Sequence, residues 1–527
     1  MSAEGLGDLW QQQQLQERVL LLQVIFLVLY SGEPVEASLL YRLAAAVNKG
    51  LLGLPEGGLP PATAQLLSAA QRLGCLTIIA GFCVEAVLDD LSQDPAGGDD
   101  DPLRPGVQHP LDPTAPDLDS EFGCWWEGDS SASQSGGRAV VLMVWAAFLR
   151  LRQAQTSEAE LAGLDWAVHA RRAQQGGAFD ELRSLLADSL LSGSEDGGAF
   201  RSVAKNALAA VLAAFDTVPS CQAPPRASVG ALDCLALCLG REASLAEQFW
   251  DGGYRPDSPC RALLAGARRL FPAVPAPLLR LLGAACGPTD GSEVSDRNTL
   301  GASASQIFSA ESAFRYLSAL PSVAAVHSAA DIGARGAPIQ AAGEEGYSSQ
   351  LRVVCVEALP LPGLPELVLP PGAQGVVRDA AWVSQWAELG LFSEVTAPPC
   401  LGKKEAVLIE WDVPADGFYL TLRLLAGESP RLGTGTSAKT TPHFLSAALG
   451  FVARALSVCP TLAPEMLAVR AHLPGHVGSG GAGLVDVGGS ILALALASRS
   501  PPLDLAATAL AVCRALAPHA PSEISAA

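Results

Sequence analysis

The residues that come closest to a chemical motif are Gly433 to Thr440, GTGTSAKT. They nearly match the phosphate loop G-x-x-x-x-G-K-[ST], in which backbone N–H groups cradle phosphates, the lysine reaches the terminal phosphates and the hydroxyl meets Mg²⁺. Lys439 and Thr440 are in register, but Ala438 stands where the second glycine must let the backbone bend. Pro430 separates the segment from the apolar run before it, Pro442 follows directly, and no parallel β-α-β pattern surrounds it. The segment therefore reads as a linker, and a nucleotide-binding protein built on Gly433–Thr440 is a minor alternative.

The other candidates are weaker. His472 and His476 have helical i,i+4 spacing for a metal, but Pro474 and Gly475 break the helix between them and no third ligand follows. Gly478, Gly480 and Gly483 spell G-x-G-x-x-G; no strand precedes them and no helix opens directly on them, so a linker is the better reading. Cys234 and Cys238 lie four apart on a Leu-rich helix, where cysteine acts as a small hydrophobe. Asp99, Asp100 and Asp101 lack the spacing of a calcium loop and read as a solvated charge run. Trp411, near the end of an apolar strand, could line a peptide groove, but core packing is the default. No catalytic, cofactor-binding or metal-ligating residue is expected.

The chain supports that reading in bulk. Of its 527 residues, 49% are hydrophobic and only 17% charged, enough apolar material for a large core. Alanine and leucine dominate, which favours helices. The formal net charge is −20, and the five lysines (Lys49, Lys205, Lys403, Lys404, Lys439) form no basic patch. Such a surface repels phosphate backbones and anionic lipid, so no direct nucleic-acid partner is expected. The twelve cysteines are scattered without a CxxC pair, which together with the lack of a signal-peptide pattern suggests a reducing compartment. Two apolar runs, Val19 to Tyr30 and Ala139 to Leu149, are about a dozen residues each, short of the ~20 that span a bilayer. Both read as core helices, and no transmembrane segment is expected.

These features must be positioned by a mainly α chain. Residues 1–91 read as helices, with Ser38 as an N-cap and repeats of apolar spacing at 38–48, 62–73 and 76–91. Residues 92–138, rich in Pro, Gly and Asp, read as a disordered acidic insertion; Trp125 and Trp126 could dock back on the body. Helices resume over 139–345, with candidates at 139–154, 157–173, 178–191, 199–214, 227–239, 242–250, 258–269 and 276–285, and a helical stretch near 305–330. Many helices with short turns and no strict repeat predict an irregular α-solenoid of stacked amphipathic helices. Over 346–427 the period changes: 351–359, 374–377, 405–413 and 418–425 read as strands of a small inserted β-barrel, with Val407, Ile409 and Trp411 facing inward. A flexible linker (428–442) leads to more helical solenoid over 443–527, apparently truncated, with helices at 443–458, 461–472, 489–498 and 503–517.

Five blocks in this order resemble the amino-terminal region of the 188-class nucleoporins, plant and algal type. They are 17–31 with 37–43; 139–151, where Trp145-Ala146 follows Met143-Val144 in place of the family's Leu-Ala; 177–186 with 200–216; 243–251 with 258–272 and 278–286; and 405–427. The resemblance spans about 400 residues, and no single block is diagnostic. It implies an α-solenoid with an inserted Src-homology-three-type β-barrel near the fifth block. It further implies a structural scaffold of the nuclear pore inner ring, at the nuclear envelope, supporting nucleocytoplasmic transport without enzymatic activity or cofactor. The implied partners are other inner-ring nucleoporins, especially short segments of the linker nucleoporin, and transient transport cargo or receptors. Family members are several times longer and carry much of their partner-binding surface further on, and the 92–138 insertion has no counterpart, so no partner site carries over by residue. A soluble helical-repeat adaptor or nuclear transport receptor is the alternative.

Overall fold

The computed structural model describes residues 3–31, 37–48, 60–92, 109, 111–112, 115–125, 137–155, 161–187, 197–215, 225–251, 258–288, 303–339, 352–378, 380–389, 391–393, 395, 406–429, 440–470, 483–497 and 503–520. The chain is mainly helical with a small antiparallel sheet. It divides into two compact units, Met1–Asp216 and Thr217–Ala527.

Among its described residues the first unit is built of helices: α1 (Ala3–Tyr30), α2 (Ala37–Asn48), α3 (Pro61–Gly81), α4 (Val84–Ser92), α5 (Ala115–Cys124), α6 (Arg138–Gln155), α7 (Trp166–Gln175), α8 (Ala178–Ala187) and α9 (Gly197–Ala214). Its centre is α6, buried on every side from Ala139 to Leu149. A helix with no polar face has to be enclosed by others, which is why the short apolar run forms a core and not a surface element. Trp145 is fully buried there, tilted against Phe82 and Phe122 and stacked on Phe148 at 5.4 Å. The expected break between 62–73 and 76–91 moves later: α3 runs unbroken past Gly74, which is buried, and the turn comes at Cys83, whose φ is +47°. Packing around Gly74 outweighs its ~1 kcal/mol helix cost relative to alanine.

The stretch expected to be a disordered insertion over 92–138 requires a correction where it is described. Residues 115–124 form α5, and Leu111, Leu118, Phe122 and Trp125 are buried. Average composition misled: a few apolar side chains at Leu118, Phe122 and Trp125 suffice once a ready-made aromatic core accepts them. Trp125 does dock back, while Trp126 and Asp99–Asp101 lie outside the described residues.

The second unit begins with α10 (Pro225–Leu239), α11 (Ala243–Trp250), α12 (Pro259–Arg268), α13 (Ala276–Ala285) and α14 (Ala304–Ser318). The strands follow: β1 (Val323–Ser328), β2 (Gly336–Ile339), β3 (Arg352–Cys355), β4 (Leu359–Leu361), β5 (Leu364–Leu369), β6 (Gln374–Arg378) and β7 (Ala406–Trp411). Short helices α15 (Ala329–Arg335) and α16 (Ala380–Glu388) interrupt them, and α17 (Gly417–Glu428), α18 (Thr440–Val458), α19 (Ala463–Ala468), α20 (Leu484–Ala497) and α21 (Leu503–Leu516) close the chain. Helix α13 lies against α18 so closely that a Cβ at Gly283 would stand 3.2 Å from the Phe451 backbone.

The strands form a five-stranded antiparallel sheet in the order β1-β7-β6-β3-β2, and β4 and β5 pair as a separate hairpin. Three of the expected strand runs are found, at 352–361, 374–378 and 406–411. The fourth is not: 418–425 lies in helix α17, capped by the Asp416 carboxylate, which accepts from the Phe418 and Tyr419 N–H groups at 2.9 and 3.1 Å. This helix is buried all round from Phe418 to Leu425 apart from the half-exposed Tyr419, so it shows neither period, and a short apolar run of that kind does not distinguish strand from helix. The converse error lies at β1, read as the end of a helical stretch. Its run VAAVHS is short and buried, and only pairing with β7 makes it a strand. The sheet therefore starts earlier than 346 and ends before 417.

Candidate functional site

Strand β7 is buried on both faces, which sequence alternation alone did not show. Ala406 and Leu408 join Leu270, Val274, Val383 and Trp386 in one apolar cluster. On the other face Ile409 and Trp411 are fully buried, against Gly375 of β6. Gly375 is required there: a Cβ would come 2.6 Å from Ile409 Cγ2 and 2.8 Å from Trp411 Cε3. Trp411 is thus core, the default reading, and does not line a groove.

Its indole N–H donates to Nε2 of His327 on β1 at 3.1 Å. Burial pushes His327 down to about 4, against the upward pull of Asp331, so the ring is neutral at neutral pH and its Nε2 is free to accept. The unfolded chain, titrating near 6.5, binds a proton that the folded one refuses between those values. The His327 contribution is therefore fully present above pH 6.5 and lost as pH falls toward 4, by on the order of 3 kcal/mol. Exchange protection of the β1 and β7 amides at pH 7 and pH 4.5 is expected to differ less in His327→Gln than in the wild type; equal pH dependence would remove His327 as the cause.

The first unit holds two further buried polar groups. Arg152 of α6 pairs with Asp112 through two hydrogen bonds, Nη2 to Oδ2 at 2.5 Å and Nε to Oδ1 at 3.2 Å, and both side chains are almost wholly buried. Asp112 Oδ2 also accepts from the His109 N–H at 2.9 Å. Nearby, one oxygen of Asp119 on α5 accepts from Trp145 Nε1 at 3.0 Å and meets His169 Nε2 at 2.8 Å. Burial raises the Asp119 carboxyl, but the hydrogen bonds from His169 and Trp145 and the His169 charge outweigh it, and the group sits below the usual carboxylate range. An Asp–His pair can activate a nucleophile; among the described residues the other ring nitrogen of His169 is buried and meets no hydrogen-bond partner. The pair ties α5 and α7 to α6. Sequence reasoning missed these residues because Asp112, Asp119, Trp145, Arg152 and His169 have no local spacing that links them.

Most of the sequence candidates lie outside the described residues: Gly433 to Lys439, His472, His476, Gly478 and Gly480. Thr440 is the first residue of α18. Gly483 directly precedes α20, so a helix does open on the G-x-G-x-x-G run, contrary to expectation. The anion position at that helix start is already filled, since the Gly483 N–H donates to the Asp486 carboxylate at 2.8 Å and Arg470 pairs with it at 3.6 Å. Cys234 and Cys238 are buried on α10, as packing requires. Among the described residues no group of three His, Cys, Asp or Glu could hold a metal ion. Burial raises the thiols of Cys75 and Cys286 to about 12, so neither is a nucleophile.

What the second unit does offer is a groove. Between α18 and α21 an open cavity of about 600 Å³ is lined by Leu456, Ser457, Leu510, Ala511, Arg514 and His519 among others. That lining suits an apolar side chain beside a carboxylate, as in a short peptide segment. Among the described residues no single helix is long and apolar enough to cross a membrane. The bent pair His443–Val458 and Pro460–Ala468 passes by composition, yet it buries Phe444, Leu449, Phe451, Val452 and Met466. No protein-family model and no curated protein matches the chain.

Proposed function

We propose that this chain is a structural scaffold subunit of the nuclear pore inner ring: an irregular α-solenoid carrying an inserted Src-homology-three-type barrel, without enzymatic activity. One observation carries the reading, the ordered series of five blocks that resembles the amino-terminal region of the 188-class nucleoporins. The mainly helical architecture is compatible with it, and so is a small antiparallel sheet set within the helical chain close to the fifth block. The buried polar groups suit a structural role, because each ties helices or strands together. Function in this reading is mechanical: helices bury a continuous core and leave grooves, such as that between α18 and α21, for segments of other nucleoporins.

Affinity purification of the tagged chain from its own cells, with quantitative mass spectrometry, tests the proposal. Inner-ring nucleoporins in stoichiometric amounts are expected. Recovery of soluble cargo with a small GTPase instead would favour a transport receptor or adaptor.

A further inference from the structure

Three guanidinium groups of the second unit gather around one tyrosine. Arg261, in the first turn of α12, lies against two rings of α11, with Cζ 5.2 Å from the Phe249 centroid and 5.4 Å from that of Trp250. Its Nη2 donates to the Trp250 carbonyl at 3.3 Å. Trp250 is itself held by its indole N–H, which donates to the Ala285 carbonyl at 2.9 Å, and its ring stands 5.9 Å from that of Tyr316 on α14. Arg268, the last residue of α12, hydrogen-bonds to the Tyr316 hydroxyl. Arg269 follows, half-exposed, and reaches Glu410 of β7 at 3.8 Å. Burial pushes the Tyr316 hydroxyl up, and the charges of Arg268, Arg261 and Arg269 all pull against it, so the three cations act on one point.

The countercharge is incomplete. Among the described residues Glu410 is the one carboxylate within ion-pair distance of any of the three, and it also accepts from Ser322 Oγ at 3.2 Å. Arg268 Nε is buried and meets no hydrogen-bond partner. The carbonyl end of α12 favours cations at Arg268 and Arg269, but Arg261 starts near the opposite end, where the helix dipole disfavours one. We propose that Arg261, Arg268, Arg269 and Tyr316 form a binding site for a single phosphomonoester group. Three guanidiniums less one carboxylate leave a local charge of about +2, and a phosphomonoester carries about −1.5 to −2 at neutral pH on three strong acceptor oxygens. Guanidinium forks pair with such oxygens through two parallel bonds, and a lone carboxylate supplies too little charge and too few acceptors for three of them. The net charge of −20 repels a long polyanion, but charges beyond ~8 Å are largely screened, so one phosphate at a local cationic cluster is a separate case. The group arrives either on a phosphorylated serine of a partner segment or as free phosphate, and the site does not depend on the scaffold reading.

The test is isothermal titration of the full chain, in phosphate-free buffer of low salt, with inorganic phosphate and with a short glycine-rich peptide carrying phosphoserine. The same peptide with unmodified serine is the blank. Saturable binding of phosphate and phosphopeptide is expected, with the serine peptide silent. A phosphopeptide that binds about tenfold or more tightly than phosphate supports the site with a modified segment as its source, and equal affinities support it with the free anion. Arg269→Gln, an exposed substitution, is expected to weaken binding about tenfold with an unchanged circular dichroism spectrum, and Arg261→Gln combined with Arg269→Gln to abolish it. Arg183→Gln, at an exposed arginine of the first unit, should leave binding unchanged. No saturable binding of either ligand at millimolar concentration, full affinity in Arg269→Gln, or an equal loss in Arg183→Gln would each overturn the proposal.

Discussion

Asp112→Ala is expected to destabilise the first unit by about 3–5 kcal/mol, the usual cost of stranding a buried charge. Arg152 is 2% exposed, and both carboxylate oxygens of Asp112 meet its guanidinium. Gln155 Oε1, which accepts from Nη1 at 3.1 Å, is neutral and does not replace the lost carboxylate charge. The same substitution releases the His109 N–H, which Asp112 caps. Asp112→Leu combined with Arg152→Met should recover most of the loss, because an apolar pair of similar volume removes the desolvation cost of both ions. Hydrogen exchange of the α6 amides reads the effect within the first unit, where a two-unit chain makes a single unfolding midpoint ambiguous. Protection within about 1 kcal/mol of wild type in Asp112→Ala would mean that the segment around Asp112 is not docked on α6.

Trp411→Ala is expected to cost the second unit a similar amount, about 3–5 kcal/mol, through a large cavity between β6, β7 and β1. The ring is fully buried, and Gly375 exists to make room for it. Trp411→Phe keeps most of the packing and loses the hydrogen bond to His327, a loss of about 1–2 kcal/mol. Gly375→Ala should also destabilise, by about 1–3 kcal/mol, because its new methyl meets Ile409 and the Glu410 carbonyl and not a flexible chain end. Exchange protection of the β1 and β7 amides gives the order: wild type above Trp411→Phe, and Trp411→Ala lowest. Equal protection in all three would show that the sheet does not depend on this ring.

Much of the helical order was legible because helix caps and periods are local. Pro259 and Pro277 start helices, Ser258 caps one through its hydroxyl, and 276–285 falls within the expected bounds to the residue. The errors cluster where burial erases the period. Helix α17 and strand β1 are enclosed on all sides, so neither an alternating nor a 3.6-residue pattern survives in their sequences. Helix α5 was hidden for a different reason: its stretch is polar on average, and its anchoring depends on Trp145 and Phe82, which lie far away in sequence. The polar groups Asp112–Arg152 and Asp119–His169 were illegible on the same ground, since each pair is joined across 40 or 50 positions. Trp411 was read correctly as core, but its partner His327 sits on the strand that periodicity missed.

The scaffold proposal is tested most directly in the living cell, by tagging the endogenous chain with a fluorescent protein and measuring recovery after bleaching at the nuclear rim. A structural subunit of the inner ring is expected to form a punctate nuclear rim whose fluorescence scarcely recovers over many minutes. A diffuse signal, or a rim that recovers within seconds as a shuttling receptor does, would contradict it.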